Sequence, residues 1–93
     1  MPNSTIDLDA LTTRHPRWRV TDEGLEAEFA FPSYMAGIDF ANQVAKIAEA
    51  MNHHPDMLIG WRKVRLTIMT HSKKAITTLD EEFVRKVEGY WSQ

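Results

Sequence analysis

No cysteine occurs in the 93 residues. That excludes a disulfide framework, cysteine-ligated zinc, iron–sulfur clusters and thiol nucleophiles, and it fits a reducing compartment. The four glycines are scattered, so no glycine-rich phosphate loop is available and nucleotide-dependent chemistry is not expected. Nowhere does the chain offer the ~18 consecutive apolar residues of a membrane span. Its first residues, MPNSTIDLDA, also lack the charged-then-apolar layout of a signal peptide. A cytoplasmic, soluble protein without membrane association is the expectation. An excess of one charge is missing too: 11 basic residues face 13 acidic ones, for a net charge of −2 and a pI near 6.0. The chain therefore has no strongly basic footprint for direct nucleic-acid binding.

With no repeat, low-complexity stretch or long linker, residues 1–93 are expected to form one domain. The composition, 43% hydrophobic and 26% charged, is that of a small globular chain. A domain of this size buries roughly 60–65% of its unfolded surface, so its core is thin and assembly would help it.

Asn3, Ser4 and Thr5 precede Ile6, Leu8 and Leu11, which permit one or two helical turns before His15-Pro16 stops them. From Trp18 the period becomes two. Arg17-Trp18-Arg19-Val20 and then Leu25, Ala27, Phe29 and Phe31 read as strands, joined into a hairpin at Thr21-Asp22-Glu23-Gly24, where Gly24 is free to take positive φ. Pro32-Ser33 then ends the strand and caps a long helix, whose apolar stripe runs from Met35 through Ile38, Val44, Ile47 and Ala48 to Met51. Phe40, Ala41 and Ala45 widen that stripe beyond the needs of one contact. Pro55 stops the helix by about His54. Met57-Leu58-Ile59 with Trp61 suggests a third strand, and Val64 to Thr70 a fourth, ended by His71. Thr78-Leu79-Asp80-Glu81 has capping-box spacing before a terminal helix carrying Phe83, Val87 and Tyr90. The fold class expected is α+β: a four-stranded antiparallel sheet with three helices on one face, in the order α-β-β-α-β-β-α.

The segment Glu49-Ala50-Met51-Asn52-His53-His54-Pro55 stands out, because two adjacent imidazoles fall where a long helix meets a rigid corner. Imidazole titrates near neutrality, so such a pair suits general acid–base work. It equally suits a solvated helix C-terminus, where the dipole favours imidazolium. His71 would join the pair if the hairpin returned alongside the helix exit. His15, beside a proline, is given no role. Asp80, in the first turn of the last helix, has an ordinary use as a capping carboxylate. Three histidines with nearby carboxylates leave a histidine-rich metal site as an alternative, but neighbouring histidines diverge on a helix and make a poor chelating pair, so no metal is expected. Arg62-Lys63-x-Arg65 points to both faces of a strand and reads as a solvated edge.

These residues resemble the pterin-4a-carbinolamine dehydratases. The shared pattern comprises Glu49, His53-His54-Pro55, Trp61, His71 within Thr70-His71, and Asp80, with flanking likeness at Trp18, Phe29-x-Phe31, Phe40 and Lys63-Val64. The likeness runs from Trp18 into the terminal helix. Two departures stand out: Met57 where the family often has an aromatic, which affects pocket shape, and Ala75 where it often has glycine, which suggests a different turn before the last helix.

The resemblance implies dehydration of a 4a-hydroxytetrahydropterin to the quinonoid dihydropterin and water, in tetrahydrobiopterin recycling, with no metal or organic cofactor. It implies His53 and His71 as the main acid–base groups, with His54 positioning substrate or assisting the transfer. Glu49 would orient a histidine or contact the pterin, and Asp80 would hydrogen-bond in the same network. Thr70 would be a substrate-binding position, and Trp61 or Pro55 would wall the flat ring. It also implies a homodimer or homotetramer, formed by sheet edges and the long helix. The alternative is a protein-binding role, stabilising another protein's assembly with weak or no enzymatic activity.

Overall fold

The computed structural model describes residues 6–93. The elements follow the expected order: α1 (Leu8–Arg14), β1 (Arg19–Thr21), β2 (Gly24–Ala30), α2 (Tyr34–Met51), β3 (Asp56–Ile59), β4 (Lys63–Ile68) and α3 (Thr78–Trp91). All pairings are antiparallel, and the sheet order is β1-β2-β4-β3. The two hairpins are thus joined through β2 and β4, which leaves β1 and β3 at the edges.

The period-two pattern explains the layering. Leu25, Ala27 and Phe29 of β2 stand opposite Ile68, Leu66 and Val64 of β4, and all six are buried on the same face. Between them Glu26 and Glu28 pair with Thr67 and Arg65 on the other face. There Arg65 lies 3.5 Å from Glu28 and Lys63 lies 3.9 Å from it. These exposed ion pairs contribute little individually, and they keep that face wet. The inward residues form one cluster with Leu11, Trp18, Phe40, Val44 and Ala48, and with Phe83, Val84 and Val87 of α3. Trp18, Phe29, Phe40 and Phe83 supply its buried aromatic rings. Trp18 meets Phe29 and Phe83 edge-on, at centroid distances of 6.2 and 6.4 Å. The Trp18 indole N–H donates to Glu88 at 2.8 Å, so the buried ring leaves no polar group unpaired.

Caps set the helix starts. Ser33 accepts from the Ala36 N–H to open α2, as its sequence position implied, and Asp7 accepts from the Ala10 N–H to open α1. Asn3, Ser4 and Thr5, which precede this helix in the sequence, lie outside the described residues. At α3 the cap is Thr77 and not Thr78. Thr77 is extended, and the box closes with Asp80.

Strand ends also differ from expectation: β1 begins at Arg19 and not Arg17, Thr21 and Gly24 pair with each other inside the strands, and β2 stops at Ala30, short of Phe31. β3 stops at Ile59, because the Gly60 N–H bonds the Lys63 carbonyl and turns the chain, placing Trp61 in the turn. β4 stops at Ile68, and beyond it only an isolated bridge joins Thr70 to Ala75. That turn takes its positive φ at Lys74 (52°). Ala75 itself needs no glycine-like conformation, so its methyl group costs the turn nothing.

Gly24 has φ of +123°, and a Cβ built there would lie 2.2 Å from the Ile68 carbonyl oxygen. Gly24→Ala is therefore expected to lower stability by at least about 2 kcal/mol, measured as a lower urea midpoint. An unchanged midpoint would show that the β1–β2 hairpin does not depend on this close approach.

Candidate active site

Three chain turns meet at one end of the molecule. The first is the exit of α2, where Asn52 takes the left-handed conformation (φ 50°) and its N–H bonds the Ala48 and Glu49 carbonyls. Asparagine tolerates this conformation better than most residues, and a proline soon afterwards keeps the helix from resuming. The His53 N–H also bonds the Ala48 carbonyl, at 3.0 Å, so His53 leaves the helix at a defined angle. The second is the turn after β4, closed by Thr70 N–H to Ala75 carbonyl at 3.1 Å and by Lys74 N–H to His71 carbonyl at 3.1 Å. The third is the first turn of α3, carrying the Thr77–Asp80 capping box.

Asn52, His53, His54, Met69, Thr70, His71, Ser72 and Leu79 surround an open cleft of about 360 Å³ where these turns meet. That lies within the usual volume range for a small-molecule site. Two of its histidines have carboxylate partners of opposite character. His53, with its side chain 11% exposed, has Nε2 2.6 Å from Oδ1 of the fully buried Asp80. His54 has Nε2 2.6 Å from Glu49 Oε2, and both side chains are exposed. His71 is exposed at the start of its turn.

Asp80 is more than a helix cap. Its Oδ2 accepts from the Thr77 N–H and from the Thr70 hydroxyl, both at 2.8 Å, while Oδ1 faces His53. The carboxylate thereby ties together all three turns. Buried charge is tolerated only with such saturation by donors.

The remaining expected positions are more dispersed. Glu49 borders a separate surface groove with Asn42, Ala45 and Lys46, and reaches the cleft only through His54. Pro55 does not line the cleft. Trp61 stands on the β3–β4 turn, 74% exposed, with the Arg62 guanidinium 5.1 Å from its ring. In this monomer it walls nothing near the histidines. Met57 likewise lies on β3, outside the cleft. Thr77, absent from the sequence-based site, belongs to its hydrogen-bond network. The spacing Thr77-x-x-Asp80 was the available signal, masked by the equally spaced Thr78 and Glu81. Among the described residues, no group of three or more His, Asp or Glu side chains is arranged to hold a metal ion.

The profile of the family described as pterin 4 alpha carbinolamine dehydratase matches residues 2–90. The chain belongs to this family. Among curated relatives of the dehydratase family, a Rubrobacter xylanophilus protein is 37% identical over 83 residues, 88% of this chain and 78% of its own length. One from Mycobacterium avium is 38% identical over 82 residues, 88% and 87% of the two chains. Both carry the dehydratase name provisionally. The crystal structure of a transcriptional coactivator/pterin dehydratase from Brucella melitensis superposes with a TM-score of 0.84 at 26% identity, covering 94% of this chain and 97% of that one. A pterin dehydratase-like RuBisCO assembly factor of the alpha-carboxysome shares the fold, with a TM-score of 0.63 at 23% identity over 78% of this chain and 84% of that one.

The two carboxylates of this dehydratase-family site differ in what their removal does to the fold. Asp80→Ala removes half the capping box and leaves buried donors unpaired, so a loss of about 2–4 kcal/mol is expected. Glu49→Ala breaks only an exposed pair and is expected to stay within about 0.5 kcal/mol. Urea unfolding of both variants checks the contrast, and equal losses would contradict it.

Proposed function

We propose that the protein dehydrates a 4a-hydroxytetrahydropterin to the quinonoid dihydropterin, by histidine acid–base catalysis in the cleft. The observation that carries this reading is the convergence of His53, His54 and His71 on one cleft in a chain of the dehydratase family. In the reaction the C4a–O bond breaks, the proton on the adjacent ring nitrogen leaves, a C=N bond forms and water departs. Hydroxide is a poor leaving group and needs a proton as it goes, while the ring nitrogen needs an acceptor. Imidazole can both donate and accept a proton, so side chains of this type serve both transfers. In this reading His53 and His71 carry the two transfers, while His54, held by Glu49, positions the substrate or assists. Asp80 supports His53, and Thr70 supports Asp80. His71→Ala is expected to lower kcat/KM for a synthetic carbinolamine at least tenfold with an unchanged far-UV spectrum, and full activity would remove His71 from the mechanism.

Self-association belongs to the same proposal. Every residue of β3 is exposed, including Met57, Leu58 and Ile59 at 37%, 51% and 41%, on an edge strand whose outer hydrogen-bonding groups have no partner strand among the described residues. Such an edge invites pairing. Along α2, Met35 is 62% exposed while the opposite face of the helix is buried. A homodimer through the first surface, or a homotetramer using both, would cover them. Sedimentation at micromolar concentration is expected to show an oligomer, and a monomer alone would refute it.

A second reading, a protein-binding role with weak or no enzymatic activity, draws on the coactivator name of the Brucella melitensis structure and on the same exposed β3 surface. A chain with no dehydratase turnover that captures a partner through β3 would favour it.

A further inference from the structure

We propose that a one-way hydrogen-bond relay, running from Leu79 through Thr77 and Thr70 to Asp80, fixes His53 in the tautomer protonated on Nε2. Nδ1 is then the ring atom that exchanges protons in the cleft. The tautomer follows from the hydrogen-bond geometry with Asp80 as the carboxylate. Its use in turnover rests on the dehydratase reading above.

The direction of each bond can be worked out from what each group is able to do. Backbone N–H groups only donate. The Leu79 N–H gives to Thr77 Oγ1 at 3.2 Å, and the Thr77 N–H gives to Asp80 Oδ2 at 2.8 Å. A hydroxyl has one proton, and a carboxylate only accepts. Thr70 Oγ1 lies 2.8 Å from Asp80 Oδ2 and 2.7 Å from Thr77 Oγ1. Its proton goes to the carboxylate, so it must accept from Thr77. The Thr77 proton is thereby committed to Thr70, and the Leu79 N–H meets the lone pair that remains. Every hydroxyl in the chain has a single consistent orientation.

With two donors on Oδ2, Asp80 offers Oδ1 to His53 Nε2 at 2.6 Å. The carboxylate cannot donate, so Nε2 carries the hydrogen. Water has little access to alter this arrangement, because Thr70, Thr77 and Asp80 are 7%, 3% and 0% exposed. Thr70 and Thr77 are positioning residues: they act through Asp80 on His53, and the Thr70 hydroxyl proton is spent within the protein.

Long-range ¹H–¹⁵N correlation spectra of the full chain, recorded where the ring is neutral, test the proposal directly. Wild-type His53 is expected to be protonated on Nε2, and protonation on Nδ1 would overturn the relay without any variant being needed. In Asp80→Asn the two donors at the Oδ2 position hold the amide oxygen there. The NH₂ then points at Nε2 and the ring proton should move to Nδ1, the logic by which an amide replacing a carboxylate enforces the wrong tautomer. An unchanged tautomer in a folded Asp80→Asn variant would also overturn it. Adding Thr70→Val removes one of those donors and should let both tautomers appear, whereas Thr70→Ser should retain the single inverted form. If Thr70→Val has no effect, Thr70 is not part of the device. In turnover, Asp80→Asn is expected to lower kcat by about a hundredfold or more while KM changes less than about threefold. A wild-type protein with the Nε2-protonated ring but no dehydration would sink the dehydratase reading and leave the relay standing. Active wild type with the proton on Nδ1 would do the reverse.

Discussion

A single buried carboxylate organises the cleft end of this molecule. Asp80 is fully buried, and it receives a backbone N–H, a hydroxyl and an imidazole from three separate stretches of chain. An ionised group so placed would be costly without these donors. Its presence therefore demands that the end of α2, the turn after β4 and the start of α3 be held in register. The capping box of α3 and the placement of His53 are consequences of the same arrangement. The α3 cap and the placement of His53 share one residue, so the cleft cannot be loosened without loosening the helix beside it.

How much of this was legible in the sequence depended on the range of the interaction concerned. Alternation at Leu25, Ala27 and Phe29, and at Val64, Leu66 and Ile68, marked the two central strands, because each has one face in the core and one in water. Ser33 and Pro55 bracketed α2, since capping and proline sterics act within a few residues. The ends of β3 and β4 were less legible. They are set by a tight turn at residues 60–63 and by the bridge from Thr70 to Ala75, neither of which leaves a pattern in hydrophobicity.

The site shows the same division. Spacing and family likeness picked out His53, His54, His71 and Asp80, and the turns bring the three histidines around one cleft with Asp80 beneath His53. Spacing alone did not reveal that Thr77, rather than Thr78, caps α3, because two threonines precede two acidic residues at equal separations. Packing decides between them: the pair that closes the box is the one buried beside Thr70. Trp61 shows the opposite limit. Its position in the pattern is matched, yet in the monomer its ring lies against Arg62 on an exposed turn, away from the imidazoles.

The strand β3 contributes no buried side chain, pairs with β4 and touches α2. Elements with few buried apolar contacts open locally at the lowest free energy. β3 begins at Asp56, directly after His53-His54-Pro55, so fraying of this strand transmits slack to the two adjacent imidazoles while the Asp80 contact restrains only the first of them. His54 therefore lies nearer than His53 to an exposed edge strand, and whatever covers the β3 edge also bears on the segment that carries them.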